Sequence, residues 1–359
     1  MCLCDDFESG DDVQPLQNRP LVIPYCGNFS APHCSEVHIA ASLESQGHKV
    51  IRLQEDAVSM KDIDAATWGA DLFLWTRTEG FLKASAEEMV SWLASKRAIG
   101  LPTASVHLDL YAGIGRRTGG LETDPFWRTE YVFTPDGGSP QFFKRHNVNH
   151  FYLRPGVYDA ECVVGTQKRE FEADVIFVGS GSPHGSYHPE WGYRRELLAF
   201  LVKTYGRRFV KHGGPPIHGG RSFIRGADLS DLYATARVVV GDTLCLGPED
   251  AREPRFTHRA YWSDRVYETV GRGGYLVHPR IVGLEDEFTD GEHLRLYDYG
   301  DFDGLKAIID AALADDAHRA RVKAAGMAMV KGACTYVHRT AEMIRILAEH
   351  SSAIAEAVA

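Results

Sequence analysis

The chain of 359 residues is long enough for two average domains, each with its own hydrophobic core. Hydrophobic residues make up 44% and charged residues 25% of the sequence, which excludes a disordered or fibrous protein. The formal net charge is −10, and because neither half of the chain is basic, a protein whose main task is to grip phosphate backbones is not indicated.

The start of the chain and its cysteines indicate a cytoplasmic protein. MCLCDDFESGDD is acidic and lacks the basic and apolar segments of a secretory signal, and no apolar run approaches the roughly 20 residues that a membrane span needs. The seven cysteines are an odd number and are scattered along the chain, which argues against a disulfide framework. We predict a soluble cytoplasmic protein without a membrane span, which begins with a flexible acidic tail over residues 1–19.

An alternation of strands and helices begins at residue 20. LVIPYCG is a short apolar run that ends in glycine, and SEVHIAASLESQG follows it, with Ser35 expected as the N-cap and Gly47 where the helix would end. KVIRL, ADLFLWT, a helix near residues 84–96, PTASVHLD and EYVFTPD continue the pattern. Strands that alternate with helices predict a parallel sheet covered on both faces, here in an N-terminal domain over residues 20–165.

The same pattern restarts after a boundary near residues 155–172. ADVIFVGSGS, RRFVKHGG and RVVVGDT are predicted strands, WGYRRELLAFLVKTYG and DLSDLYATA are predicted helices, and residues 335–359 are predicted to form one long helix. The fold class is therefore α/β, with two Rossmann-like, doubly wound domains that face a cleft, the second over residues 166–335. Open α/β sheets bind ligands at the carboxyl ends of their strands, so two facing sheets form a two-walled site that suits the joining of two substrates.

A glycine-rich loop follows the first strand of the second domain. In VIFVGSGSPHG, Gly179 and Gly181 lack the Cβ atoms that would keep a diphosphate away from the backbone. The third glycine comes one residue too late for a dinucleotide fingerprint, and the next strand ends in Lys211 and His212 where a NAD-binding fold has an acidic residue. Hydride transfer is disfavoured, and the loop is either a plain tight turn or a phosphate contact.

Three further side chains are candidates for chemistry at strand ends. Lys211 could neutralise a diphosphate as its charge develops, with an ordinary surface lysine as the alternative. His107 and Asp109 lie at i and i+2 of VHLD and so share a face, where either could accept a proton from an attacking hydroxyl. The alternative for Asp109 is a loop cap.

The sequence predicts no metal site. His146 with His150, and His212 with His218, have spacings that suit a metal, but no carboxylate or cysteine completes either pair. The acidic residues of DFD, which begins at Asp301, open a predicted helix, so N-capping is the favoured interpretation.

Glu268 stands in an apolar, glycine-rich passage, SDRVYETVGRGGYLVHP. We expect it on a helix beside the cleft that ends at Gly273, where its carboxylate could accept both hydrogen bonds of a vicinal diol such as that of ribose. Arg265, one turn earlier, could reach a phosphate. The alternative is a surface pair of Glu268 with Arg265 or Arg272, worth under about 1 kcal/mol.

Several runs carry a family resemblance. DLYATARVVVGDT, RVYETVGRGGYLVHP, FTDGEHLRLYDYGDFDGLKAII and AAGMAMVKGACTYVHRTAEMIRIL resemble the C-terminal domain of GT-B glycosyltransferases, most closely the CgeB-like (spore-maturation) group. SEVHIAASLESQGHKVIRLQED resembles the N-terminal domain of that group, so nearly everything after residue 20 is covered. The resemblance implies a nucleotide-sugar donor on the C-terminal domain, an acceptor on the N-terminal domain, and a last helix, residues 336–359, that packs back toward the N-terminal domain.

The resemblance also implies residue roles. Glu268 would hold the donor ribose, while Arg265 and Lys211 would face the diphosphate. Retaining relatives usually have a second glutamate eight residues before Glu268, where this chain has Ala260, so retention of the anomeric configuration is not implied. If the enzyme inverts, Asp109 or His107 is the expected base, and if it retains, the leaving phosphate takes the proton.

We therefore predict a metal-independent, hexosyltransferase-like glycosyltransferase that requires no cofactor and uses a nucleotide sugar, with a UDP-sugar as the first choice. The base of the donor would lie near the loop at 237–247. The predicted donor contacts are Glu268, Arg265, Gly179, Gly181, Asp242 and Gly273, and the predicted catalytic residues are Asp109, His107 and Lys211.

The acceptor and two other functions stay open at this stage. A small molecule, a glycan, a protein or a modified DNA base would each fit such a cleft, although the acidic first half counts mildly against DNA. The alternatives to a transferase are a GT-B-type sugar-nucleotide epimerase and a catalytically inactive glycan-binding module of the same fold.

Overall fold

The computed structural model describes residues 19–76, 83–108, 124–137, 140–181, 191–242 and 261–358, with the side chains of residues 140, 142 and 191 left out. Several sequence predictions fall outside these ranges. They are the acidic tail up to residue 18, the candidate base Asp109, the loop at 237–247 from residue 243 onward, and the position of Ala260.

The first sheet has six parallel strands in the order β2-β1-β3-β4-β5-β6. Its strands are β1 Val22–Gly27, β2 Lys49–Gln54, β3 Phe73–Trp75, β4 Thr103–Val106, β5 Tyr131–Thr134 and β6 His150–Tyr152. The helices among them are α1 Ser35–Ser45, α2 Met60–Ala66, α3 Ala86–Ala98 and α4 Pro140–Arg145. The sequence analysis did not predict β6, α2 or α4.

The second sheet has five parallel strands in the order β11-β10-β9-β7-β8. Its strands are β7 Val175–Val178, β8 Phe209–His212, β9 Val238–Val240, β10 Leu276–Pro279 and β11 Arg295–Tyr297. The helices are α5 Trp191–Tyr205, α6 Gly226–Thr235, α7 Arg265–Gly271, α8 Phe302–Ala314 and α9 Asp316–Ala333. Two parallel sheets with helices confirm the predicted α/β fold class, and the chain passes from one sheet to the other between residues 152 and 175.

The local sequence explains most of these elements. The strands β7 (VIFV) and β9 (VVV) are continuous apolar runs with every residue buried, as expected for parallel sheets covered on both faces. After α1, Gly47 has a φ of +91°, a left-handed conformation that glycine adopts without strain. Ser35 was expected to cap this helix, but the helix begins at Ser35 and the cap position is Cys34, which makes no side-chain cap bond.

The C-terminal segment is not one helix, as the sequence pattern had predicted, but two: α10 Tyr336–His350 and α11 Ser352–Val358. The break lies at Ser351, whose backbone is extended (φ −131°, ψ 113°) and whose hydroxyl accepts a hydrogen bond from the amide of Ile354 at 3.4 Å. Serine favours such a helix start over a helix interior.

Both C-terminal helices pack on the first sheet. Met343, Ile344 and Leu347 of α10 share a core with residues of β1 and α1, and Gln46 donates a hydrogen bond to the hydroxyl of Thr340 at 2.5 Å. The chain therefore returns to the N-terminal domain after completing the second sheet. Within the described ranges, no helix has the length and apolarity that a membrane crossing requires.

Candidate active site

A polar cavity of about 370 Å³ lies between the two domains, and we call it the interdomain cavity. Its N-terminal wall is formed by Asn28 after β1, by the segment from His33 to the first turn of α1, and by Leu108 after β4. Its C-terminal wall is formed by Arg225, Asp264, Arg265 and Glu268. Residues from the segment between the two sheets, together with Tyr336, complete the lining.

Glu36 belongs to the N-terminal wall because a glycine makes room for it. A Cβ atom at Gly27 would lie 2.8 Å from Cγ of Glu36, so only glycine at the end of β1 lets this side chain approach. Glu36 is 1% exposed, and His38, two residues farther along α1, stacks on Tyr158 with ring centroids 4.6 Å apart. The N-terminal wall therefore presents polar groups held by packing.

Glu268 lies on α7 and faces the interdomain cavity, with its side chain 16% exposed. Arg265, one turn earlier, donates a hydrogen bond to its Oε2, and Nη2 of Arg272 lies 3.7 Å from its Oε1. Arg272 is itself fixed, because it pairs with Glu161 and its Nη1 donates to the hydroxyl of Ser230 at 2.8 Å. Glu268 is thus a largely buried carboxylate on a cavity wall, and the pairing with Arg265 or Arg272 that the sequence offered as the alternative is present on this wall and not at the open surface.

The charges around Glu268 keep it ionised. Burial raises its pKa, but Arg265, Arg225 and Arg272 together outweigh burial and hold the pKa of Glu268 below its usual range. A carboxylate that is charged at neutral pH accepts hydrogen bonds without donating any, which is what recognition of two adjacent hydroxyl groups requires.

Asp264 is a residue of the interdomain cavity that the sequence analysis did not single out. It lines the interdomain cavity beside Arg265, and its one described side-chain hydrogen bond comes from the hydroxyl of Ser263 at 2.9 Å. Burial raises the pKa of Asp264, and the attraction of Arg265 only partly opposes this shift. In the sequence, Asp264 could have been noticed from its place directly before Arg265. Arg225 and His38, two further lining residues of the interdomain cavity, belong to no recognisable motif.

A smaller cavity of about 30 Å³ adjoins the first, and Leu108, Asp264 and Tyr336 line both. His107, a predicted base, lies on the wall of this smaller cavity. It is 4% exposed and its ring stacks on Trp127 with centroids 3.7 Å apart. The structure thus places His107 on the smaller cavity, which Asp264 also lines, and not on the interdomain cavity.

Lys211 and Asp242, two other predicted site residues, form with Arg194 a group that we call the interior cluster. Arg194 donates from Nε to Oδ2 of Asp242 at 2.7 Å and from Nη2 to Oδ1 at 2.6 Å, a bidentate pair. Nζ of Lys211 donates to the carbonyl oxygens of Gly213 and Pro215, both at 2.6 Å. Lys211 is 0% and Asp242 is 5% exposed, and neither lines the interdomain cavity.

The interior cluster supports the glycine loop after β7. Nη1 of Arg194 donates to the carbonyl of Ser180 at 3.0 Å. A Cβ atom at Gly179 would lie 2.9 Å from the ring of Phe177, and one at Gly181 would lie 2.7 Å from Cε of Lys211. The missing Cβ atoms therefore make room for protein atoms beneath the loop, while Ser180 is exposed on its outer side.

Gly273, the last predicted donor contact, ends α7 with a φ of +76°. This left-handed conformation explains the glycine, because side chains other than glycine are strained there. Gly273 does not line the interdomain cavity.

The polar groups that the sequence analysis weighed as metal ligands have other partners. His150 hydrogen-bonds to Thr134 at 2.7 Å, and Nδ1 of His212 accepts from the amide of Arg221 at 3.2 Å. The carboxylate of Asp301 accepts from the amide of Gly304 at 2.9 Å, which confirms its predicted role as the N-cap of α8. Among the described residues, no group of three or more His, Cys, Asp or Glu could hold a metal ion.

Comparison with known proteins connects this site to one family. The family described as glycosyl transferase-like matches residues 194–345, a segment that includes Asp264, Arg265 and Glu268. No curated protein sequence matches the chain.

Solved structures match over nearly the whole chain. An alpha-glucosyltransferase in complex with UDP and a 13-mer DNA containing a HMU base is similar with a TM-score of 0.65 at 11% identity, over 91% of this chain and 99% of that one. HepE from Anabaena in complex with UDP-glucose has a TM-score of 0.58 at 12% identity, over 91% and 99%. Sucrose-phosphate synthase from Thermosynechococcus elongatus has a TM-score of 0.56 at 12% identity, over 93% and 100%.

At these identities the likeness establishes the fold, which is the predicted GT-B arrangement of two facing α/β domains. The family match is independent of that likeness, and the two together support glycosyl transfer from a nucleotide sugar.

Proposed function

We propose that this protein is a glycosyltransferase that moves a sugar from a nucleotide-diphosphate donor, a UDP-sugar, to a hydroxyl group of an acceptor. The observation that carries the proposal is the carboxylate of Glu268, which is largely buried, ionised and directed to the cavity between two GT-B domains. It lies within the segment matched by the glycosyl transferase-like family.

In this proposal Glu268 binds the donor through its ribose. Its two carboxylate oxygens accept hydrogen bonds from the O2′ and O3′ hydroxyl groups, and the pair with Arg265 fixes the side chain before the donor arrives. Arg265 and Arg225, which also line the cavity, compensate the charge of the diphosphate. The exposed outer side of the loop that holds Gly179 and Gly181 is the proposed second contact for the diphosphate.

The identity of the donor rests on the solved relatives. HepE was solved with UDP-glucose and the alpha-glucosyltransferase with UDP, which supports a uridine nucleotide here. Within GT-B enzymes we place the chain nearest the CgeB-like group, on the runs that contain RVYETVGRGG and FTDGEHLRLYDYGDFDGLKAII.

The acceptor enters from the N-terminal wall in this proposal. Asn28, Ser35 and Glu36 present oxygen and nitrogen atoms that suit a polyhydroxyl compound better than an apolar one. The alpha-glucosyltransferase was solved with DNA that contains a modified base. The net charge of −10 makes a long polyanion the less favourable acceptor for this chain.

Thermal unfolding with nucleotides tests the donor site first. UDP at one hundred times its dissociation constant should stabilise the folded protein by about 2.7 kcal/mol, and GDP should stabilise it less. Release of UDP from UDP-glucose, followed with and without a pool of hydroxyl acceptors, then tests transfer. A protein that responds to no nucleoside diphosphate contradicts the proposal.

Glu268→Gln tests the proposed contact between this carboxylate and the donor. Loss of the charged acceptor should weaken UDP binding roughly 10- to 100-fold, because hydrogen bonds to charged groups contribute about 1.5–3 kcal/mol. Glu349→Gln is the matched control, since Glu349 also pairs with an arginine on a helix, Arg345, but is 54% exposed. Calorimetric titration of both variants with UDP should show a loss for the first alone, and equal affinities would remove Glu268 from the donor site.

A further inference from the structure

We propose that Asp264 is the catalytic base that accepts the proton of the acceptor hydroxyl, a role that rests on the proposed glycosyl transfer. Asp264 is the one residue of the second domain that lines both the interdomain cavity and the smaller cavity beside His107, in the part of the chain that the structure describes. It therefore stands where the wall that carries Glu268 meets the N-terminal domain.

The ordinary explanation for an aspartate at this position does not apply. Asp264 directly precedes α7, where its carboxylate would normally accept a hydrogen bond from a backbone amide of the first turn. Its backbone is instead helical (φ −49°, ψ −25°), and no side-chain cap bond forms. The carboxylate instead accepts a hydrogen bond from the hydroxyl of Ser263.

The spacing from Glu268 gives Asp264 a place along the donor. Residues four apart lie on the same face of a helix, about one turn or 5–6 Å apart. If Glu268 holds the ribose, Asp264 lies one turn farther toward the start of α7 and toward the N-terminal wall. The diphosphate, the sugar and the acceptor would lie in this direction from the ribose. A base for the acceptor hydroxyl has to lie on this side.

The charges around Asp264 suit a base. Burial raises the pKa of its carboxyl group, with Arg265 and Arg225 opposing the shift and Glu268 adding to it. A base works best when its pKa lies closer to the working pH than that of an ordinary aspartate, about 3.9. The other titratable and charged groups that share a cavity with it include Tyr336, Glu36, His38 and Glu161 in the interdomain cavity and His107, Arg154 and Arg339 around the smaller one.

The reaction balances with no further reagent. The O–H bond of the acceptor breaks and its proton passes to the carboxylate of Asp264, while the oxygen forms a bond to the anomeric carbon of the donor sugar. The bond from that carbon to the diphosphate oxygen breaks, and its electron pair leaves with the nucleoside diphosphate. Asp264 then releases the proton to solvent, and attack opposite the leaving group inverts the anomeric configuration.

Donor hydrolysis tests this role without knowledge of the acceptor, because water then replaces the acceptor hydroxyl. We expect Asp264→Asn to lower kcat for release of UDP from UDP-glucose by about 100-fold or more, the usual contribution of a general base. The dissociation constant for UDP should change less than about threefold, since asparagine keeps the shape of the side chain. Asp303→Asn, at an exposed position of α8, is the matched control and should change neither value.

The pH profile separates a base from a structural residue. In the wild type kcat/KM should fall as the pH drops through the raised pKa of Asp264, and this acidic limb should be absent from the residual activity of Asp264→Asn. Asp264→Glu, which keeps the carboxylate, should recover part of the activity and of the limb.

The other outcomes separate the two proposals. A wild type that binds no nucleotide overturns the proposed function, and this role with it. If the wild type hydrolyses the donor and Asp264→Asn is equally fast, only the role of Asp264 is overturned. The role of Asp264 is also overturned if Asp264→Asn loses kcat and UDP affinity together, or if the acidic limb of the pH profile disappears in His107→Asn or Asp109→Asn instead. A product that retains the anomeric configuration also overturns it.

Discussion

The C-terminal wall of the interdomain cavity and the interior cluster both contain residues that the sequence analysis assigned to the donor. The structure places them in different parts of the molecule. Glu268 and Asp242 are both acidic residues of the second domain that were assigned to the donor. Each pairs with an arginine in the structure. Glu268 keeps contact with a cavity of about 370 Å³, whereas both oxygens of Asp242 are held by Arg194 in the interior.

The difference shows what separates a binding group from a supporting one. A bidentate pair uses the two oxygens that a ligand would need, so the protein itself already satisfies Asp242. Arg265 donates to one oxygen of Glu268, and Arg272 stands at 3.7 Å from the other, so Glu268 receives one close hydrogen bond from these arginines where Asp242 receives two, and it keeps more capacity for a ligand. The number of partners that the fold provides therefore distinguishes the two carboxylates better than their distance from a strand end.

Asp242→Asn should lower the stability of the folded protein more than the other changes to these two groups. Removing the charge leaves Arg194 buried without a counter-ion, and loss of one partner from a buried pair costs about 3 kcal/mol or more. Urea unfolding should report that loss, while the affinity of the folded protein for UDP should change little.

Asp298→Asn is the control for that variant, since Asp298 pairs with Arg280 at the surface and is 78% exposed. A folded Asp242→Asn protein with normal stability and lost UDP binding would return Asp242 to the donor site, as the sequence alone had suggested.

Lys211→Met, a second change within the interior cluster, should have an intermediate effect on stability. The carbonyl oxygens of Gly213 and Pro215 lose their donor, which should cost about 1–2 kcal/mol of stability at neutral pH. The variant should also change the pH dependence. Burial, with a smaller contribution from Arg194, lowers the pKa of Lys211 from 10.5 to about 8.

The sign of that pH effect follows from proton binding. Between about pH 8 and 10.5 the unfolded chain holds a proton on Lys211 that the folded chain has lost, so the stability of the wild type rises with pH in this window. Lys211→Met lacks this gain, so its deficit in free energy of unfolding relative to the wild type should widen as the pH rises. Urea unfolding from pH 7 to 10, with the exposed Lys306→Met as control, measures it. A deficit that stays constant would contradict the lowered pKa.

The fold was predictable because its signal is repeated along the chain. Short apolar runs such as VIFV and VVV, separated by helices with recognisable ends, leave a parallel α/β arrangement as the consistent solution. Elements with weak local patterns were missed. The strand at 150–152 is only partly buried, and the break at Ser351 interrupts a run rich in alanine, glutamate and leucine, which favour helix.

The candidate site was predictable only in part, because partners are set by packing between segments distant in sequence. Glu268 and Arg265 are one helical turn apart, so their pairing could be inferred locally. The partner of Asp242 is 48 residues away, and Asp264 lines a cavity with His107 only because two domains come together there. No local pattern indicates which of two charged residues will find such a distant partner.

Arg265→Lys, a change on the wall of the interdomain cavity, should affect stability and UDP affinity only slightly. Lysine keeps the positive charge beside Glu268, so stability should fall by less than about 1 kcal/mol, but it lacks the planar group that can bind a carboxylate and a phosphate together. UDP affinity should therefore fall about fivefold, or about 1 kcal/mol. Arg345→Lys, in the exposed pair with Glu349, is the matched control. Calorimetric titration beside urea unfolding gives both numbers, and a variant that loses stability while keeping its UDP affinity would make Arg265 a supporting residue like Arg194.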